Sequence, residues 1–90
     1  MMTKLLNIGF GNVINTEKII AMLRPDSAPA KRIVQRAKEE ERIIDATQGR
    51  RTRSIIIMET NQIVLSALMP ETLTNRVNEE IIEQEGTGNE

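Results

Sequence analysis

The chain has no cysteine, no histidine, no tryptophan and no tyrosine, and its one aromatic residue is Phe10. Each absence excludes a class of chemistry. Without cysteine there is no disulfide framework, no thiolate nucleophile and no thiolate zinc site. Without histidine, the usual general base near neutral pH and the commonest transition-metal ligand are both missing. Only carboxylates or lysine remain to run an enzyme, so we expect a protein that is not an enzyme and holds no metal or cofactor. Long apolar runs are also lacking. No stretch approaches the roughly 18–20 residues a membrane helix requires, and the short run Leu5-Leu6 is cut by Asn7 before it could serve as a secretory signal. A cytoplasmic protein without a membrane partner is expected.

What is present is charge, unevenly spread. The net charge of the 90 residues is -1. Residues 1–70 carry eleven Lys/Arg against seven Asp/Glu, a net of +4, whereas residues 71–90 carry Arg76 against six Glu, a net of -5. A basic body of this kind attracts polyanions in spite of the acidic tail. The length is that of one domain. We expect it over residues 1–84, with 85–90 (Glu, Gly, Thr, Gly, Asn, Glu) as a disordered acidic tail.

The apolar pattern predicts short strands punctuated by turns. Leu5-Leu6-Asn7-Ile8 reads as a first strand ended by Gly9-Phe10-Gly11-Asn12, and Val13-Ile14 as a second ended by Asn15-Thr16. Ile19 to Leu23 reads as a third strand, stopped by Pro25. Asp26-Ser27 then starts a helix over about 27–41, with Ala30, Ile33, Val34 and Ala37 at helical spacing. Glu39-Glu40-Glu41 is a misfit at its C-terminus, where the dipole favours cations. Ile43-Ile44-Asp45-Ala46 is a fourth strand and Thr47-Gln48-Gly49 a turn. Ser54 to Glu59 and Gln62 to Leu68 form a hairpin about Thr60-Asn61. Pro70-Glu71 opens a second helix with Leu73, Val77 and Ile81 as its stripe. The fold class is α+β: a small, mostly antiparallel sheet of about five to six short strands with two helices. Ile55 and Ile57 face one way and Ile56 and Met58 the other, so both faces of the hairpin need cover, from the helices or from another subunit.

One segment stands out chemically. Gly49-Arg50-Arg51-Thr52-Arg53 puts three arginines within four residues at a turn-to-strand junction. Guanidinium groups grip phosphate bidentately, and Arg51 and Arg53, two apart on a strand, share a face. The plain alternative is a solvated edge that deters strand aggregation. Lys18, Arg24, Lys31 and Arg32 are possible extensions of the patch. Gly9-Phe10-Gly11 lacks the third glycine and following helix of a phosphate loop, and reads as a turn or an oligomer contact. Asp45 is a general-base candidate, but is better read as a partner of an arginine that orders the turn. The five methionines are core or initiator residues.

Segments 4–12 (Lys-Leu-Leu-Asn-Ile-Gly-Phe-Gly-Asn), 25–32 (Pro-Asp-Ser-Ala-Pro-Ala-Lys-Arg), 44–53 (Ile-Asp-Ala-Thr-Gln-Gly-Arg-Arg-Thr-Arg) and 65–72 (Leu-Ser-Ala-Leu-Met-Pro-Glu-Thr) closely resemble the RemA family, regulators of extracellular matrix genes. The resemblance runs to about residue 77, and residues 78–90 depart from it. It implies a LytTR-like subunit that assembles into a ring, described as octameric, and wraps double-stranded DNA to activate biofilm-matrix and osmoprotection genes. Arg50 and Arg51 match the family's DNA-contacting pair. A further DNA-contacting arginine of the family falls on Lys18, which keeps the charge but loses the planar fork. Arg53 is a weaker candidate. The expected partners are double-stranded DNA and further copies of the chain, with no small-molecule substrate. The alternative is an oligomeric protein-interaction scaffold that does not bind DNA.

Overall fold

A computed structural model describes residues 4–78. The second helix is helical over 70–78 (α2). Ile81, the expected domain end at 84 and the tail 85–90 lie outside the described residues.

Among the described residues, six strands form two sheets. β1 (Leu5–Gly9) and β2 (Asn12–Asn15) make an antiparallel hairpin. β3 (Ile19–Leu23), β4 (Ile43–Asp45), β5 (Ser54–Met58) and β6 (Ile63–Ser66) form the main sheet in the order β3-β5-β6-β4. β3 and β6 run antiparallel to β5, but β4 runs parallel to β6. The main sheet is therefore mixed, with the pairs other than β4–β6 antiparallel as expected. The parallel pair arises because α1 (Ala28–Glu39) carries the chain from β3 at one edge to β4 at the other.

Local chemistry accounts for the boundaries. Ser27 caps α1 by accepting from the Ala30 N–H at 3.2 Å, and a proline occupies the first turn, as anticipated. The other end is a Schellman turn: Arg42 N–H donates to the Ala37 carbonyl at 2.8 Å and Glu41 N–H to the Lys38 carbonyl at 3.2 Å. Glu41 occupies the left-handed position at φ 57°, where glycine is the usual choice. Asn61, at φ 71°, turns the chain from β5 into β6.

The sheet is apolar on both faces because both are covered within one chain. Ala30, Ala37, Ile55, Ile63 and Leu65 form a cluster under α1, with Ile33, Val34 and Ile57 packed against it. Leu6, Ile8, Ile56, Met58, Val64 and Leu73 form a second cluster on the opposite face, under the β1–β2 hairpin and α2. The side chains of β5 alternate between the clusters as their pattern required. Each fully buried aliphatic side chain contributes about 1.5–3 kcal/mol. The extra cover over the second face comes from the hairpin.

Two serines interrupt this apolar interior. Ser54 and Ser66 face each other across β5 and β6, and both are fully buried. Ser66 Oγ donates to the Ile8 carbonyl at 2.8 Å and accepts from the Leu68 N–H at 3.0 Å. Ser54 Oγ donates to the Leu68 carbonyl. These bonds fasten the end of β1 to the chain that leaves β6, and so set the Gly9–Gly11 turn beside the segment entering β5.

Candidate nucleic-acid interface

The arginine segment is positioned by a turn on one side and a strand on the other. Arg50 N–H donates to the Thr47 carbonyl at 2.9 Å, with Gln48 and Gly49 both at positive φ. Arg53 N–H donates to the Ser66 carbonyl at 2.8 Å, extending the β5–β6 ladder. Between these anchors Thr52 is half-buried while Arg50, Arg51 and Arg53 are exposed.

Asp45 orders the turn, but without an arginine. Its Oδ1 accepts from the Thr47 hydroxyl at 2.7 Å and from the Thr47 N–H at 2.9 Å. The hydroxyl bond first, and the backbone bond second, hold its pKa below the ordinary carboxylate value of 3.8. A depressed pKa is the reverse of what a base working near neutrality needs. Asp45 is thus engaged by Thr47, and among the described residues no carboxylate forms an ion pair with Arg50, Arg51 or Arg53.

All three arginines line an open cup of about 610 Å³, together with the Gly9–Gly11 turn, Leu68 and Arg76. Arg50 lies over the Phe10 ring, 5.6 Å from its centroid, within cation–π range. Arg76, on α2, donates to the Asn7 carbonyl at 2.8 Å. The acidic balance of its surroundings in sequence hid this residue. The usable signal was helical phase, since Arg76 follows Leu73 by three positions and adjoins Val77 on the side of α2 that meets the hairpin.

The other basic candidates are not gathered here. Lys18 closes the 3-10 turn Thr16–Lys18 and pairs with Glu59 at 3.2 Å. Ile19 lies opposite Met58 and Leu23 opposite Ile55, so Lys18 sits at the far end of β5 from Arg53. Five strand residues put the two ends about 17 Å apart. Arg24 is close to Arg51 and Arg53, sharing a smaller hollow with them, but its guanidinium pairs with Glu71. Arg32 belongs to the outer side of α1, and Lys31 lines a hollow between α1 and the sheet.

A concave, exposed surface with four guanidinium groups is suited to polyanions with repeating phosphates. Among the described residues, no three Asp or Glu side chains converge as a metal site, and no helix is long and apolar enough to cross a membrane.

Comparison with known proteins gives a consistent assignment. Residues 5–77 match the family model of extracellular matrix regulatory protein A-like proteins. A candidate regulatory protein of Lachnoclostridium phytofermentans is 59% identical over 78 residues, covering 87% of this chain and 86% of its own. One from a Thermoanaerobacter species is 53% identical over 85 residues (92% and 88%), and one from Geobacillus kaustophilus is 51% identical over 77 residues (86% and 88%). The match takes in both the Phe10 turn and the arginine segment, and the chain belongs to the RemA-like family of regulatory proteins.

Proposed function

We propose that the chain is a DNA-binding transcriptional regulator that assembles into a ring of LytTR-like subunits and binds double-stranded DNA mainly through phosphate contacts. On the family resemblance, the outcome is activation of matrix and related genes. The observation that carries the reading is the set of exposed arginines, Arg50, Arg51 and Arg53, held on an ordered turn and strand with no carboxylate paired to them among the described residues. Arg50 and Arg51 are the main contacts, Arg53 a weaker one. Lys18 serves a second phosphate position, reached along the duplex or from a neighbouring copy.

Assembly is supported by apolar side chains that the subunit leaves uncovered. Ile20 lies on the edge strand β3, 65% exposed at a break in its register, and Ile44 lies on the opposite edge strand β4. Leu5 and Val13 are exposed on the hairpin. A contact joining one edge to the other is head-to-tail, the type that closes into rings. Several copies then multiply a few phosphate contacts into firm binding.

Light scattering of the protein alone, and with a duplex at low and moderate salt, tests this reading. It predicts a particle several times the 10.2 kDa chain that takes up DNA and sheds it as salt rises. A large particle indifferent to DNA would favour the second reading, an interaction scaffold, for which the same exposed apolar side chains speak.

A further inference from the structure

The chain has one aromatic residue, and the fold does not use it for packing. Phe10 belongs to neither interior cluster and is 48% exposed. It stands at the tip of the β1–β2 turn with φ 57°, between Gly9 at φ 111° and Gly11 at φ 79°. A bulky side chain is disfavoured there, and glycine or asparagine would serve the turn better. A strained residue that contributes nothing to the interior points to a role outside it. Its surroundings say what the role is. The ring lies under Arg50 and shares its cup with Arg51, Arg53 and Arg76, while among the described residues no acidic side chain lines that cup. The turn is fixed from behind: Asn7 Oδ1 accepts from the Gly9 N–H at 2.8 Å, and Asn12 Nδ2 donates to the Gly9 carbonyl at 3.1 Å. An apolar wedge on a braced turn, ringed by cations, fits a DNA groove between two phosphate strands.

We propose that Phe10 is a DNA-contacting residue, pressing its ring into the minor groove against deoxyribose and the edges of one base step, while the neighbouring arginines hold phosphates on either side. The proposal rests on the DNA-binding reading above and goes beyond it, because it supplies a source of sequence preference that phosphate contacts lack. The ring has no hydrogen-bonding group and reads no base identity. It reads how readily a step unstacks, so it favours TA and CA/TG steps. Phosphate contacts by themselves are indifferent to sequence.

The test compares two duplexes of equal length by fluorescence anisotropy, one rich in TA and CA/TG steps and one without them. Wild-type protein is expected to prefer the first severalfold. Phe10→Gly is expected to lose about tenfold on the first duplex and little on the second, with an unchanged salt slope, because an apolar contact and not a charge has been removed. Phe10→Leu should keep most of the preference. Glycine suits the backbone at this position, so Phe10→Gly should fold, with an unchanged or raised Tm and an unchanged particle mass. Equal binding by wild type and Phe10→Gly on both duplexes would overturn the proposal while leaving the DNA reading intact. A changed particle mass in Phe10→Gly would overturn it too, and assign the ring to a contact between copies. Wild-type protein that binds neither duplex would overturn both readings at once.

Discussion

The two ends of β5 carry positive charge in different ways. At the end where the strand leaves the sheet, Lys18 is matched by Glu59 at 3.2 Å, and both side chains are half exposed. At the end where the strand enters, Arg50, Arg51 and Arg53 have no carboxylate partner among the described residues, and the acid nearest in sequence, Asp45, is engaged by Thr47. Exposed pairs such as the first contribute little to stability, and they blunt the field the lysine would otherwise present. Unpaired guanidinium groups keep their full attraction for phosphate. Position among partners, and not charge alone, separates a phosphate contact from a surface ion pair.

The largest effect should come from removing the unpaired end. Combining Arg50→Ala with Arg51→Ala should weaken duplex binding by about a hundredfold at moderate salt, similarly across sequences, while particle mass and Tm stay near wild type. Loss of assembly in that variant would make the arginines structural. Next is the joint that holds the two halves of the cup together. Ser66→Ala leaves the Ile8 carbonyl and the Leu68 N–H without their buried partner, and should cost about 1–3 kcal/mol in denaturant unfolding. The paired end should respond less. Lys18→Ala should weaken binding by less than either single arginine variant, and Glu59→Gln, which frees Lys18, should strengthen it about two- to threefold. A lysine variant as damaging as an arginine variant would break the comparison.

Two smaller predictions separate fold from site. Glu41→Gly removes both a left-handed glutamate and a negative charge from the C-terminus of α1, and should stabilise by about 1 kcal/mol with DNA binding unchanged. Asp45 supplies a modest pH dependence. Its folded pKa is depressed, so its contribution is complete above the ordinary value of 3.8 and is lost as the pH falls through the lower folded value. Asp45→Asn should flatten acid unfolding in that range and leave stability at pH 7 slightly reduced.

Much of the fold was legible in local signals. The Ser27 cap, the Asn61 turn and the two-sided apolar pattern of Ile55 to Met58 each have a short-range cause, and each appears as read. What periodicity could not reveal is pairing at long range. Three residues, Ile43–Asp45, suffice to make β4, and nothing in them says that they lie parallel to β6. The glutamate run at 39–41, an electrostatic misfit in sequence, turns out to hold the end of a helix and its left-handed exit, where backbone geometry outweighs charge. The arginine segment was legible because its residues are adjacent. Arg76 was not, since only the packing of α2 against the hairpin brings it to the cup. The partner of Lys18 was equally hidden until the strands were placed, whereas the partner of Asp45, Thr47, lies only two residues away and was missed although it is local.

The most direct test of the central claim is the salt dependence of duplex binding, measured for wild type and Arg50→Ala at several salt concentrations. The account predicts a steep log–log slope for wild type, made shallower in the variant by about one for each copy of Arg50 that touches the duplex. A flat wild-type slope, or an identical steep slope in the variant, would contradict phosphate contact by the unpaired arginines.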